Sequence, residues 1–208
     1  MAPIKTICAR LKAKYPVAHF ALCFVNPLEL LVSTILSAQC TDARVNIVTK
    51  ALFKKYRRPE DYARANLKTL EHEIRSTGFY RNKAKNIMGA AKIIVRDFGG
   101  RVPDTMVGLL RLPGVARKTA NVVLYSAFGK NEGIAVDTHV RRLSQRLGLT
   151  KNTDPVKIES DLLAQLPKKE WGVFSLRLVW HGRATCMAKK PNCPACVLGG
   201  VCPSKQAP

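Results

Sequence analysis

Four cysteines near the end of the chain, Cys186, Cys193, Cys196 and Cys202, form a C-x6-C-x2-C-x5-C frame. Four thiolates at such spacing suit a metal centre. A disulfide framework would need an oxidising compartment. The opening segment MAPIKTICARLKAKYP alternates polar and apolar residues and has no continuous apolar stretch of the secretory kind. The thiols are therefore read as reduced and free to bind metal. The gap between Cys186 and Cys193 departs from the paired C-x2-C knuckles of common zinc fingers, and iron with sulfur also takes four thiolates. Spacing alone leaves zinc and an iron–sulfur cluster both open.

The rest of the chain must position that centre and whatever it serves. With 208 residues and 47% hydrophobic content, the chain can bury a sizeable core and still leave room for a pocket. Its 35 Lys and Arg against 14 Asp and Glu give a net charge of +21, which calls for a polyanionic partner. The charge is spread through every segment and not gathered on one amphipathic helix, so nucleic acid is favoured over an anionic membrane. The longest apolar runs, such as LELLVSTIL from Leu28, are too short and too polar to span a bilayer.

Helical periodicity recurs and strand-length alternation does not, so the fold class is all-α, with about ten short helices. From Lys83 to Phe98, the residues Ile87, Ala90, Ala91, Ile94, Val95 and Phe98 share one stripe, and Gly99-Gly100 ends the helix. Capping chemistry is expected at Asn26-Pro27, Asp42, Asp104 and Asp154-Pro155. Cys8, Cys23 and Cys40 read as small core residues at helical positions. The cysteine frame lies in a Pro- and Gly-rich tail after a helix at about Glu170–Arg183. Metal, more than packing, is expected to hold that tail.

The segment LRLPGVARKTANVVLYSAF, from Leu110 to Phe128, reads as a helix end, a tight turn at Leu112-Pro113-Gly114-Val115 and a second helix. Unpaired amides at a helix start can bind a phosphate group, which is how a helix-hairpin-helix grips a DNA backbone without reading sequence. An ordinary helix–turn–helix corner also fits an isolated LPG, and Arg117-Lys118 taken alone could be phosphate clamps at a helix start.

From Leu112 to Leu143 the text LPGVARKTANVVLYSAFGKNEGIAVDTHVRRL closely resembles the endonuclease III family of DNA glycosylases of base excision repair. The resemblance extends to LLVSTILSAQCTD around Gln39 and to GFYRNKAKNI from Gly78, and it covers essentially the whole chain. It implies two helical domains flanking a DNA-binding cleft. A domain at 20–130 carries the hairpin at about 106–125, and a discontinuous one at 1–19 and 131–208 carries the cluster loop at 186–202. It implies that Cys186, Cys193, Cys196 and Cys202 hold one four-iron four-sulfur (4Fe-4S) cluster. It also implies that Lys118 is the nucleophile and that Asp137, an N-cap by sequence, faces it across the cleft to stabilise positive charge on the sugar. An amine attacks only when neutral, whereas a free lysine has a pKa of about 10.4. Burial in the cleft, Arg117 and the helix N-terminus are expected to favour the neutral form. Ala116 stands where the family's hairpin usually has a second glycine, which predicts a stiffer or displaced turn.

Chemistry at C1′ of a nucleotide requires flipping the base out of the stack and filling the vacancy. Gln39 is expected to pair with the orphaned base and Phe79 or Tyr80 to wedge into the duplex. Phe79 is bulkier than the aliphatic residue often found there in the family, and a helix-start staple is its structural alternative. Further DNA contact is expected at Leu112, Gly114, Val115, Ala116 and Arg117 of the hairpin, at His139 in a supporting role, and at Lys189 and Lys190 of the cluster loop. The function so implied is a bifunctional glycosylase and AP lyase. It acts on duplex DNA bearing oxidised or ring-saturated pyrimidines or abasic sites, as a monomer, in a cytoplasmic, nucleoid-associated, prokaryotic-type setting. The alternatives are a monofunctional mismatch or adenine glycosylase, which lacks the lysine, and a non-catalytic DNA-binding iron–sulfur protein.

Overall fold

The computed structural model of the chain describes residues 4–205. In chain order its helices are α1 (Ile4–Lys14), α2 (Pro27–Leu36), α3 (Asp42–Lys55), α4 (Pro59–Ala63), α5 (Leu67–Glu73), α6 (Tyr80–Phe98), α7 (Met106–Leu110), α8 (Arg117–Phe128), α9 (Thr138–Arg146), α10 (Pro155–Gln165) and α11 (Trp171–Ala184). Single 3₁₀ turns lie at Arg75–Thr77 and Lys168–Glu170, and no strand occurs among the described residues. None of these helices is long and apolar enough to cross a membrane.

The chain divides into two compact units. One is continuous, Phe20–Lys130; the other joins residues 4–19 to 131–205. In the continuous unit the stripe of α6 supplies Ile87, Ala90, Ala91 and Ile94 to a core shared with Leu30, Leu31 and Ile35 of α2, Tyr62 of α4 and Val123 and Leu124 of α8. Full burial of each large aliphatic side chain contributes roughly 1.5–3 kcal/mol, so this stripe fixes how α2 and α8 lie on α6. The discontinuous unit packs Ile7 and Leu11 of α1 with Val140 and Leu143 of α9, Ile158 and Leu162 of α10 and Phe174 and Leu178 of α11. Arg177 ties this core to the end of α1: it is buried, donates to the Tyr15 carbonyl at 3.3 Å and pairs with Glu170 at 3.3 Å.

Local chemistry accounts for most boundaries. Asn26 caps α2 by accepting from the Glu29 N–H at 3.0 Å, Glu29 in turn accepts from the Val25 N–H at 2.8 Å, and Pro27 opens the helix. Asp154 caps α10 through the N–H groups of Val156 and Lys157, both at 3.0 Å. At the end of α6, Gly99 is left-handed and the Gly100 N–H reaches back to the Ile94 carbonyl at 3.0 Å. Two expected caps move by one residue. Thr41, not Asp42, caps α3, and Thr105, not Asp104, caps α7, because a threonine hydroxyl stands where the backbone is still extended. Asp104 pairs instead with Lys130 at 2.5 Å. Cys23 and Cys40 are not at helical positions: Cys23 is exposed in a loop, while Cys40 packs half-buried against the first core from the turn after α2. Cys8 does lie on α1 against the second core, where burial pushes its thiol up to about 11.

Candidate functional site

The hairpin is built from two buried anchors and one glycine. Leu112 and Val115 point into the core, and the Val115 N–H closes the turn on the Leu112 carbonyl at 3.1 Å. Their side chains are therefore withdrawn from any partner, and only their backbone can face one. Gly114 has φ +78°, and a Cβ there would come within 2.9 Å of the Asn86 side chain on α6. Pro113 rests above Gly89, where a Cβ would lie 3.2 Å from the proline ring. α8 then starts at Ala116 without a side-chain cap, so the positive end of the helix is not covered by a capping side chain. Ala116 has φ −97° and ψ 172°, extended backbone that alanine adopts freely, so the missing second glycine neither stiffens nor displaces the turn.

Lys118 stands on the first turn of α8, with Arg117 beside it, and both are exposed. This corrects the expectation of a buried amine. The buried face of α8 carries Thr119, Ala120, Val123 and Leu124, which turns position 118 to solvent.

Asp137 caps α9: its Oδ1 accepts from the Val140 N–H at 2.8 Å. Two residues on, His139 is half-buried, and burial lowers its pKa below the usual imidazole value despite the nearby Asp137 carboxylate. An Arg142 N–H lies 3.2 Å from its Nδ1, and Arg142 also donates to the carbonyls of Gly182 at 3.0 Å and Cys186 at 2.9 Å. Gly182 is needed for this closeness, since a Cβ would come within 2.9 Å of His139 Nδ1. His139 is thereby joined through Arg142 to the first cysteine of the frame.

The two turns expected to bear inserting side chains have an unusual backbone. Gln39 (φ 52°) and Phe79 (φ 47°) are the non-glycine residues with positive φ among the described residues, and both are exposed. Phe79 is 62% exposed, which excludes a staple role, whereas Tyr80 is half-buried against the core with Arg81 over its ring. Lys83, a residue that sequence reasoning passed over, lies buried beneath both turns. Its signal was its place four residues before Ile87, on the apolar stripe of α6.

All four frame cysteines line one cavity, together with Arg146, Thr185, Asn192 and Gly199. Among the described residues no three His, Cys, Asp or Glu side chains gather closely enough to hold a single ion. Burial raises the thiol pKa values of Cys196 and Cys202, so a metal must displace their protons. The expectation that metal more than packing holds the tail needs correcting. Leu198 is buried in the second core. Arg146 donates to the carbonyls of Met187 at 2.8 Å and Ala188 at 2.9 Å and reaches Cys186 Sγ at 3.2 Å, while Arg10 donates to the Val197 carbonyl at 3.1 Å. His181 joins Cys196 Sγ at 3.3 Å to the Tyr15 hydroxyl at 3.1 Å, and its burial lowers its pKa to about 4, which keeps the ring neutral. Arginine–carbonyl bonds across 40 residues leave no mark in an apolar pattern. Lys189 and Lys190 are exposed on the loop between the first two cysteines.

Gly114→Ala should destabilise the continuous unit by more than about 1 kcal/mol, from the left-handed backbone and the Asn86 clash together. A denaturation midpoint unchanged from the parent protein would show that the turn tolerates a side chain.

Residues 32–168 match the family described as HhH-GPD superfamily base excision DNA repair protein. The endonuclease III of Synechocystis sp. is 57% identical over 197 residues, which is 95% of this chain and 90% of that protein. Two solved structures superpose over 97% of this chain at 45% identity. One is a non-covalent endonuclease III–DNA complex, 94% covered, with a TM-score of 0.92. The other is a trapped endonuclease III–DNA covalent intermediate, 95% covered, with a TM-score of 0.93. A hairpin closed on Gly114, an uncapped α8 and a four-cysteine cavity thus occur in a chain that belongs to the HhH-GPD superfamily of base excision DNA repair proteins, among its endonuclease III members.

Proposed function

We propose that this chain releases oxidised or ring-saturated pyrimidines from duplex DNA and then nicks the strand, as a bifunctional DNA glycosylase and AP lyase. One observation carries the reading. An exposed lysine stands on the uncapped first turn of α8, in a chain 45% identical to an endonuclease III trapped covalently on DNA.

The backbone amides of that turn suit a phosphate oxygen, which would set the strand against Lys118 without reading its sequence. Lys118 Nζ then bonds to C1′ while the glycosidic bond breaks and its electron pair leaves with the base. Positive charge grows on the sugar during this step, and the Asp137 carboxylate is assigned to stabilise it and to take the proton that the amine gives up. Opening of the sugar ring leaves a Schiff base. Loss of a C2′ proton then breaks the C3′–O bond, and water frees the lysine. The N-capping role of Asp137 is compatible with this work, because the cap uses Oδ1.

Cys186, Cys193, Cys196 and Cys202 are assigned to one 4Fe-4S cluster. Four thiols set around one cavity suit a centre held by four thiolates, as a 4Fe-4S cluster is. When bound, the cluster supplies structural stability. The chain's own contribution is the rigid display of Lys189 and Lys190 toward a phosphate backbone.

Borohydride should trap the protein on duplex DNA bearing thymine glycol, and Lys118→Gln should abolish trapping, base release and nicking while leaving DNA binding in place. Trapping by Lys118→Gln would assign the nucleophile to another amine. Asp137→Asn keeps the cap and loses the charge, so it should lose far more glycosylase activity than lyase activity on a preformed abasic site. With about 5 phosphates neutralised, affinity should fall with salt at a log–log slope of roughly −4 to −5, and a slope near zero would contradict phosphate gripping. The purified protein should be yellow-brown and contain iron with acid-labile sulfide; zinc without iron would overturn the cluster assignment.

A further inference from the structure

Gln39 and Phe79 lie 40 residues apart in the chain, on separate turns, yet both hold the backbone conformation that non-glycine residues avoid. Such conformations persist only where the surroundings hold them. Both turns rest on one buried group. Lys83 Nζ donates to the Leu36 carbonyl at 2.7 Å, three residues before Gln39, and to the Thr77 carbonyl at 2.8 Å, two residues before Phe79. The Lys83 main-chain N–H also donates to the Phe79 carbonyl, at 3.1 Å. Leu36 ends α2 and Thr77 ends a 3₁₀ turn, so neither carbonyl has an onward helix partner.

A lysine only 4% exposed is an expensive choice for a core stripe, and burial lowers its pKa. No carboxylate accepts from it; both side-chain acceptors are main-chain oxygens. A methionine would fill the same space and pack better against Ile87, but it would leave two buried carbonyls unpaired and the two turns unconnected. The geometry therefore serves the turns more than the core.

We propose that Lys83 is a positioning residue for base flipping: its ammonium ties the Gln39 turn to the Phe79 turn, so that the two side chains enter the duplex at a fixed separation. This rests on the reading that Gln39 and Phe79 occupy the gap left by the flipped base. Neither Lys83 nor its two bonds touches the substrate, so its effect is confined to steps in which both turns act together. Cleavage of an abasic site in single-stranded DNA, where there is no paired partner to separate, does not need them.

The test compares K83M, K83R, Q39A, F79A and the Q39A/F79A pair with the parent protein. The substrates are a thymine glycol duplex with 2-aminopurine beside the lesion and a single strand bearing an abasic site. Q39A and F79A should slow the fluorescence rise that reports unstacking. K83M should slow it, and single-turnover base release with it, by about tenfold, the equivalent of roughly one buried hydrogen bond. Single-strand cleavage should stay within about twofold, and K83R, which keeps the donors, should recover part of the loss. Added to Q39A/F79A, K83M should cost little more, since it acts through those two side chains. If Q39A and F79A leave unstacking unchanged, the insertion reading fails and the proposal with it. If they slow it and K83M does not, or if K83M costs its full factor again in the Q39A/F79A background, the insertion reading stands and the role of Lys83 is overturned. Should K83M fail to fold, K83Q takes its place under the same criteria.

Discussion

Short helices have many ends, and each end leaves backbone N–H or C=O groups that helix geometry cannot pair. That constraint organises this protein more than any single apolar contact. With eleven α-helices in 202 described residues, the orphan groups outnumber what turns alone can satisfy, and side chains are recruited from far along the chain. Asn26, Thr41, Asp137 and Asp154 close helix starts. Carbonyls in the last turn of a helix or beyond it go to cations: Leu36 to Lys83, Gly182 to Arg142, and those of Met187 and Ala188 to Arg146. At the start of α8 no side chain caps the helix, and in the proposed function that positive end serves an outside anion. The starts of α6 and α11 also lack a side-chain cap, so what sets α8 apart is the Gly114 turn that precedes it.

The same rule divides the positive charge into two populations. Lys83, Arg142, Arg146 and Arg177 turn their charge inward, onto main-chain oxygens, and Arg177 onto Glu170 as well. Charge-assisted bonds to carbonyls are worth about 1.5–3 kcal/mol each, enough to hold a tail or a turn that apolar contacts reach only through a residue such as Leu198. Arg117, Lys118, Lys189 and Lys190 remain exposed, the first pair after the hairpin turn and the second within the loop between Cys186 and Cys193. A count of +21 cannot separate these groups. Burial and hydrogen bonding do.

What was legible in the sequence follows from range. The α6 stripe, its glycine stop and the Asn26, Asp137 and Asp154 caps depend on neighbours within a turn or two, and local pattern reveals them. The caps at Thr41 and Thr105 slipped by one residue because both candidates can cap and only the backbone angle decides. Gln39 and Phe79 were singled out by their place beside helix ends. Their left-handed backbone was not legible, since glycine is the usual signal for it and neither residue is glycine. The support of the tail was missed for a different reason: Arg146 and Arg10 read as surface charge until the carbonyls they reach are known.

The exposure of Lys118 changes where its reactivity must come from. In the proposed reaction Lys118 is the nucleophile, and in the free protein its side chain lies in water. The protein contributes what it already holds in place, the start of α8, whose positive end suits a phosphate oxygen beside the lysine. The remaining contribution, exclusion of water, has to arrive with the duplex itself. Under that proposal the lysine acts only once the strand that carries its target covers it. That is a useful property in an enzyme surrounded by intact DNA, where an amine reactive at all times would meet undamaged sugars far more often than damaged ones.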